Sequence, residues 1–225
     1  MGEMIEFPSN GSTGQGYLAA PAGAGPGVVV IQEWWGLVDH IKDVCDRFAA
    51  EGFVALAPDL YHGTATSEPD EAAKAMMAMR METAAKDMGG AVDEVRRRSG
   101  RDAVGVIGFC MGGGLALVLA TQRPDAVKAV VPCYGVIPWA EAQPDYSRLS
   151  AAVEGHYAEL DDSAPPAAAH ALEAQLRGLG KEATVVVHPG THHAFFNDTR
   201  PEVYDPEEAG KLWRSALAFF REKLG

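Results

Sequence analysis

Gly105-Val106-Ile107-Gly108-Phe109-Cys110-Met111-Gly112-Gly113-Gly114 decides how this chain is read, because it passes from strand to helix through a turn too sharp for most side chains. The apolar run Ala103 to Ile107 is short, β-branched and bounded by glycine, as a buried strand is, and Leu115 to Gln122 reads as a helix that Pro124 stops. Between them, Gly108-x-Cys110-x-Gly112 has the spacing of the nucleophile elbow G-x-S-x-G, with a thiol in place of the hydroxyl. The central residue of such an elbow is strained, and side chains at the flanking positions would strike the neighbouring strand and helix, so glycine is a steric requirement. The turn also aims the first free N–H groups of the helix at the nucleophile, where they meet a developing negative charge. A plainer reading makes Cys110 a buried core thiol. The choice turns on whether an acid and a base follow in order.

Outward from this stretch, strands alternate with helices. Ile5 to Phe7 and Gly16 to Ala20 are expected to form a hairpin around Pro8-Ser9-Asn10-Gly11-Ser12. Val28 to Ile31 is continuously apolar, as a strand covered on both faces must be, and ends in Gln32-Glu33-Trp34-Trp35-Gly36. Asp39 to Glu51 is an amphipathic helix with Ile41, Val44, Cys45 and Phe48 on one face, which makes Cys45 a core residue. A strand Phe53 to Ala57 follows, then Pro58-Asp59-Leu60-Tyr61-His62-Gly63. A largely helical stretch runs from Pro69 to Arg98, whose methionines Met76, Met77, Met79, Met81 and Met88 read as an adaptable core face. Beyond the elbow come a strand Val127 to Pro132, an irregular proline-rich loop to Leu149, a strand Ala152 to Tyr157, a helix Ala167 to Leu179 and a strand Ala183 to Val187. The final helix is capped by Asp205-Pro206 and buries Leu212, Trp213, Ala216, Leu217, Phe220 and Leu224. The expected fold is a single α/β domain over 1–225, a mostly parallel doubly wound sheet flanked by helices, with no separate lid domain.

Composition narrows the function classes. The 225 residues carry 19 basic and 31 acidic side chains, a net charge of −12, which disfavours nucleic acid and anionic membrane surfaces as partners. Three cysteines make no disulfide framework, no basic-then-apolar leader follows Met1, and no apolar run is long enough to span a bilayer. A cytoplasmic protein is expected, acting on a small molecule as a monomer or small homo-oligomer.

Each polar cluster falls at the carboxyl end of an expected strand, where open α/β sheets keep their ligand crevice. Glu33, Cys110, Asp161 and His193 can therefore converge on one sheet edge, and the chain order nucleophile, acid, base is that of the α/β-hydrolase fold. An unperturbed thiol with a pKa of about 8.5 is only about 3% thiolate at pH 7, so a neighbouring histidine must take its proton. The rivals are adjacent: Asp162 beside Asp161, and His192 beside His193. His188 and His192 hint at zinc, but a catalytic zinc needs three ligands and no third has telling spacing, so neither metal nor cofactor is expected.

With these residues in view, the sequence resembles the dienelactone hydrolase family over nearly its whole length. The matching segments are Gln32-Glu33 with the aromatic pair and Gly36, Ala57-Pro58-Asp59-Leu60-Tyr61, Gly108-Phe109-Cys110-Met111-Gly112-Gly113, Cys133-Tyr134-Gly135 and Gly190-Thr191-His192-His193-Ala194-Phe195-Phe196. The resemblance implies that Cys110 is the nucleophile, His193 the base and Asp161 its orienter. It further implies that Glu33 pairs with the resting thiol, and that the N–H groups of Met111 and Trp34 hold the oxyanion. Trp34, Trp35, Tyr134 and Trp139 are candidates for lining the acyl pocket. Family members acting on dienelactone carry two arginines that grip the substrate carboxylate, at positions that here read Gly63 and Asn197. Losing both charge-assisted pairs argues for a neutral small ester or lactone in place of dienelactone itself. Thioester hydrolysis on acylated substrates, and a non-catalytic relative sensing oxidants through its thiol, are the competing readings.

Overall fold

The computed structural model describes residues 1–137 and 143–225. Eight strands are hydrogen-bonded in the order β1-β2-β4-β3-β5-β6-β7-β8, and by contact density the chain divides into two compact units, Met1–Val106 and Ile107–Gly225.

In the first unit, β1 (Glu3–Ser9) and β2 (Ser12–Ala19) form the expected antiparallel hairpin, and β2 pairs antiparallel with β4 (Val54–Pro58). β4 pairs parallel with β3 (Gly27–Ile31). Every residue of β3 and β4 is buried, so both strands are covered on both faces, which is why their sequences show no alternation. Helix α1 (Asp39–Ala50) turns Ile41, Val44, Cys45 and Phe48 inward, all fully buried. The long helical stretch is two helices, α2 (Pro69–Ala78) and α3 (Met81–Ser99), separated by the extended residues Met79 and Arg80. Neither residue is glycine or proline, so nothing local announces the break. The methionines also depart from expectation: Met88 is fully buried, whereas Met77 and Met81 are 85% and 47% exposed.

In the second unit, α4 (Met111–Gln122) begins directly after Cys110, four residues earlier than its apolar run suggests. Gly112, Gly113 and Gly114 are helical and buried there, because tight packing offsets their unfavourable helix entropy. β6 (Val127–Cys133), β7 (Ala152–Leu160) and β8 (Ala183–His192) are parallel neighbours, accompanied by α5 (Pro166–Gly178) and α6 (Pro206–Leu224). The Asp205 side chain caps α6 by accepting from the N–H groups of Glu207 and Glu208, as expected of that sequence. β7 and β8 both run further than their apolar cores. β8 continues through Pro189, which is tolerable because β8 is the last strand of the sheet and its outer edge needs no donor.

Strand β5 (Val104–Phe109) leads into the elbow. The described residues include no helix long and apolar enough to cross a membrane.

Candidate active site

Cys110 has φ 55° and ψ −121°, a backbone conformation that costs a side-chain-bearing residue about 1–3 kcal/mol. Its surroundings hold it there. The Cys110 N–H donates to the Cys133 carbonyl at 3.0 Å, and the Cys110 carbonyl accepts from Gly113 N–H at 2.9 Å. A Cβ on Gly108 would lie 2.0 Å from the Gly112 carbonyl oxygen, and one on Gly135 would lie 2.0 Å from that of Cys110. Both glycines are therefore required by close backbone approach. The turn leaves Cys110 partly accessible, whereas Cys45 and Cys133 are fully buried.

Asp161 and His193 are brought together by register. β7 and β8 pair Ala158 with His188 but Leu160 with His192, an irregularity that absorbs Pro189, Gly190 and Thr191 on β8. The residues that follow the Leu160–His192 pair are Asp161 and His193, and their side chains meet, His193 Nδ1 lying 2.7 Å from Asp161 Oδ2. The other carboxylate oxygen accepts from the N–H groups of Ser163 at 2.8 Å and Ala164 at 3.0 Å. Burial opposes the ionised form of Asp161, but the bonds from His193 and these two amides outweigh it and hold the carboxyl below its ordinary value. Burial likewise opposes the imidazolium at His193, yet the hydrogen bonds to Asp161 and to Cys110, with the charges behind them, raise its pKa to about 10. With Nδ1 engaged by Asp161, Nε2 is the nitrogen left for the Cys110 thiol.

Of the adjacent pairs, Asp162 and His192 are exposed, while Asp161 is buried and His193 partly so. His188 points elsewhere, with Nδ1 2.7 Å from Glu208 and Nε2 2.9 Å from His156. Among the described residues, no group of three or more histidine, cysteine or acidic side chains is placed to hold a metal. Tyr134, itself at φ 37°, is buried and sets its ring edge-on to His193 at 5.3 Å and to Phe195 at 5.6 Å. The amides of Ser163 and Ala164 are contributors no motif announces, since they act through backbone alone.

Asn197, at the second position where an arginine was sought, is buried, and its Oδ1 accepts from the hydroxyl of Thr199 at 2.7 Å and from the Thr199 N–H at 3.1 Å. Trp139 lies outside the described residues.

In the first unit, Glu33 is buried just beyond the end of β3. Trp34 and Trp35 are half-buried and pack edge to face at 4.9 Å. The two family motifs of this unit are tied together, because Gln32 Oε1 accepts from Leu60 N–H at 3.1 Å. Asp59 accepts from the N–H groups of Tyr61 and Gly63 at 3.1 and 2.6 Å. Gly63 is exposed with φ 95°, a conformation an arginine would adopt only under strain. A cavity of about 420 Å³ in this unit is lined by Leu60, Tyr61, His62, Lys74, Met79 and Arg80, among others.

Comparison with known proteins places the whole chain among similar sequences and folds. The chain is 39% identical to "Protein usf" of Aquifex pyrophilus, and 37% identical to a protein of Aquifex aeolicus (strain VF5) named "Putative carboxymethylenebutenolidase", with full coverage of both partners in each case. A crystal structure from Klebsiella pneumoniae titled "Putative Dienelactone Hydrolase" superposes with a TM-score of 0.87 at 30% identity, covering 98% of each chain. The model of the dienelactone hydrolase family matches residues 15–224, nearly the whole chain, and the chain therefore belongs to the dienelactone hydrolase family of α/β-fold hydrolases.

Proposed function

We propose that this protein hydrolyses a small neutral ester or lactone through an acyl-enzyme on Cys110. The observation that carries the reading is the hydrogen-bonded line from Cys110 through His193 to Asp161 at the elbow. His193, its pKa raised to about 10, holds on Nε2 the proton taken from the Cys110 thiol as the thiolate sulfur attacks the carbonyl carbon, and Asp161 orients the ring and stabilises the imidazolium. The oxyanion is received by the Met111 N–H at the start of α4 and, following the family's pattern, by the Trp34 N–H. His193 then protonates the leaving alkoxide. In the second half it deprotonates water, which attacks the thioester and releases the acid and the thiol. For a lactone, the leaving alcohol stays attached to the acyl group, so one hydroxy acid is released. Glu33 is assigned, by the family's pattern, to restraint of the resting thiol.

The substrate class follows from what the side chains offer. Neither Gly63 nor Asn197 supplies a cation, so a neutral acyl group is favoured over a carboxylate-bearing one. The decisive experiment is intact-protein and peptide mass spectrometry after exposure to a panel of activated esters and lactones. An acyl increment on the Cys110 peptide, absent in Cys110→Ala, is expected. An increment on another residue, or turnover retained in Cys110→Ala, overturns the proposal.

A further inference from the structure

The chemistry above leaves unused a line of four titratable side chains in the second unit. Glu154 Oε1 stands 3.1 Å from His156 Nε2 within β7, His156 Nδ1 is 2.9 Å from His188 Nε2 on β8, and His188 Nδ1 is 2.7 Å from Glu208 Oε2 on α6. Both imidazoles are buried, at 1% and 2% exposure. From α6, Ser215 Oγ donates to Glu154 Oε1 at 2.9 Å and Lys211 Nζ donates to Glu208 Oε1 at 2.6 Å.

Counting protons along this line gives a definite result. Three contacts need three protons, one in each. Neither end supplies one, because both carboxyls are held below their ordinary range. At Glu154, burial is outweighed by His156 and Ser215; at Glu208, Lys211 acts first and His188 adds to it against burial. Two neutral imidazoles bring only two N–H groups, and reversing the central bond merely moves the bare nitrogen from one carboxylate to the other.

We propose that Glu154, His156, His188 and Glu208 form a chain that holds one excess proton at neutral pH, and that this proton makes His188 a positioning residue for His193. The excess proton lies across the 2.9 Å contact between the two rings, each of which faces a carboxylate on its other nitrogen. When the proton leaves, a bare ring nitrogen faces a carboxylate oxygen at about hydrogen-bond distance in a dry site, and the contact must open. His188 transmits this to the turn that carries His193. Its carbonyl accepts from the Thr191 hydroxyl at 2.9 Å, and its ring lies 4.7 Å from that of Phe195, which packs on Tyr134 and so on His193. The chain is intact at neutral pH and breaks on the alkaline side.

The inference rests on the proposed function only in naming His193 as the base, so its test reads ring protonation and not turnover. The experiment is nitrogen-15 NMR of the histidine side chains in the full chain across pH, in the wild type and in Glu154→Gln. The glutamine amide can donate to His156 Nε2, which satisfies all three contacts with neutral rings. At pH 7 the wild type is expected to show three ring N–H groups on the pair. One should be lost at higher pH, with the His193 signals moving at the same midpoint. Glu154→Gln should show two, and that step in His193 should vanish while the triad's own titration remains. Two neutral rings in the wild type at pH 7, a His193 signal indifferent to the loss, or a third proton persisting in Glu154→Gln would each overturn the inference. If Glu154→Gln does not fold, Ser215→Ala tests the same count. It removes a competing donor from Glu154 and should raise the midpoint, and an unchanged or lowered midpoint overturns it.

Discussion

Asp161→Asn tests the site most sharply, because the structure dictates which way the new amide must face. One carboxylate oxygen accepts from the Ser163 and Ala164 amides, so the asparagine oxygen has to stay there. The NH₂ group then occupies the position 2.7 Å from His193 Nδ1 and forces that nitrogen to accept. The imidazole proton moves to Nε2, which faces Cys110 and can no longer take the thiol proton. Loss of general-base assistance costs about 10²- to 10⁴-fold, or roughly 2.7–5.5 kcal/mol in the barrier. The fold should survive, since both backbone donors keep their acceptor. Losing one charge-assisted bond, worth about 1.5–3 kcal/mol, lowers Tm by about 3–12 °C for a chain of this size. The assay is kcat and KM for a neutral short-chain aryl ester at neutral pH, with thermal unfolding alongside. The loss should fall on kcat with KM little changed. A folded variant retaining kcat within about threefold, when at least a hundredfold is expected, would refute the tautomer argument.

Other outcomes follow from the same geometry. Iodoacetamide should modify Cys110 first, since Cys45 and Cys133 are fully buried and burial pushes the Cys45 thiol well up; peptide mapping that finds either of them ahead of Cys110 contradicts the elbow assignment. Glu33→Gln should change the pH dependence of that alkylation, and an unaltered profile removes Glu33 from control of the thiol. His193→Ala should lose most turnover and His192→Ala little, because His192 is exposed on the end of β8; equal losses in kcat would mean a shared role. For the pH dependence of stability, His193 has a raised folded-state pKa. The Tm advantage of wild type over His193→Gln should be full below about pH 6.5 and disappear as pH rises through about 10. Asp161 has a lowered one, so the advantage over Asp161→Asn should be present above about pH 4 and fade as pH falls. Finally, kcat/KM should be higher for a neutral aryl ester than for dienelactone. Preference for dienelactone would point to another cation, with Arg80 on the 420 Å³ cavity of the first unit as the candidate to replace by alanine.

Much of this was legible in the chain itself, for reasons that are local. The elbow could be read because its constraint is steric and lies within five residues, and the covered strands β3 and β4 because burial on both faces leaves an unbroken apolar run. The order of Cys110, Asp161 and His193 and their family surroundings could likewise be read in one dimension. The tertiary structure decided what depends on register and backbone. Asp161 and His193 stand 32 residues apart, and they meet because the irregular β7–β8 pairing places Leu160 opposite His192. A slip of one residue would have set Asp162 or His192 in their places. The same holds for the amides of Ser163 and Ala164, which carry no side-chain signature, and for the break at Met79 and Arg80, where no residue demands it. It holds above all for Glu154, His156, His188 and Glu208, which are scattered over 55 residues. Each looks like an ordinary polar side chain until three elements pack together, bury both imidazoles and leave each ring bonded only within the line.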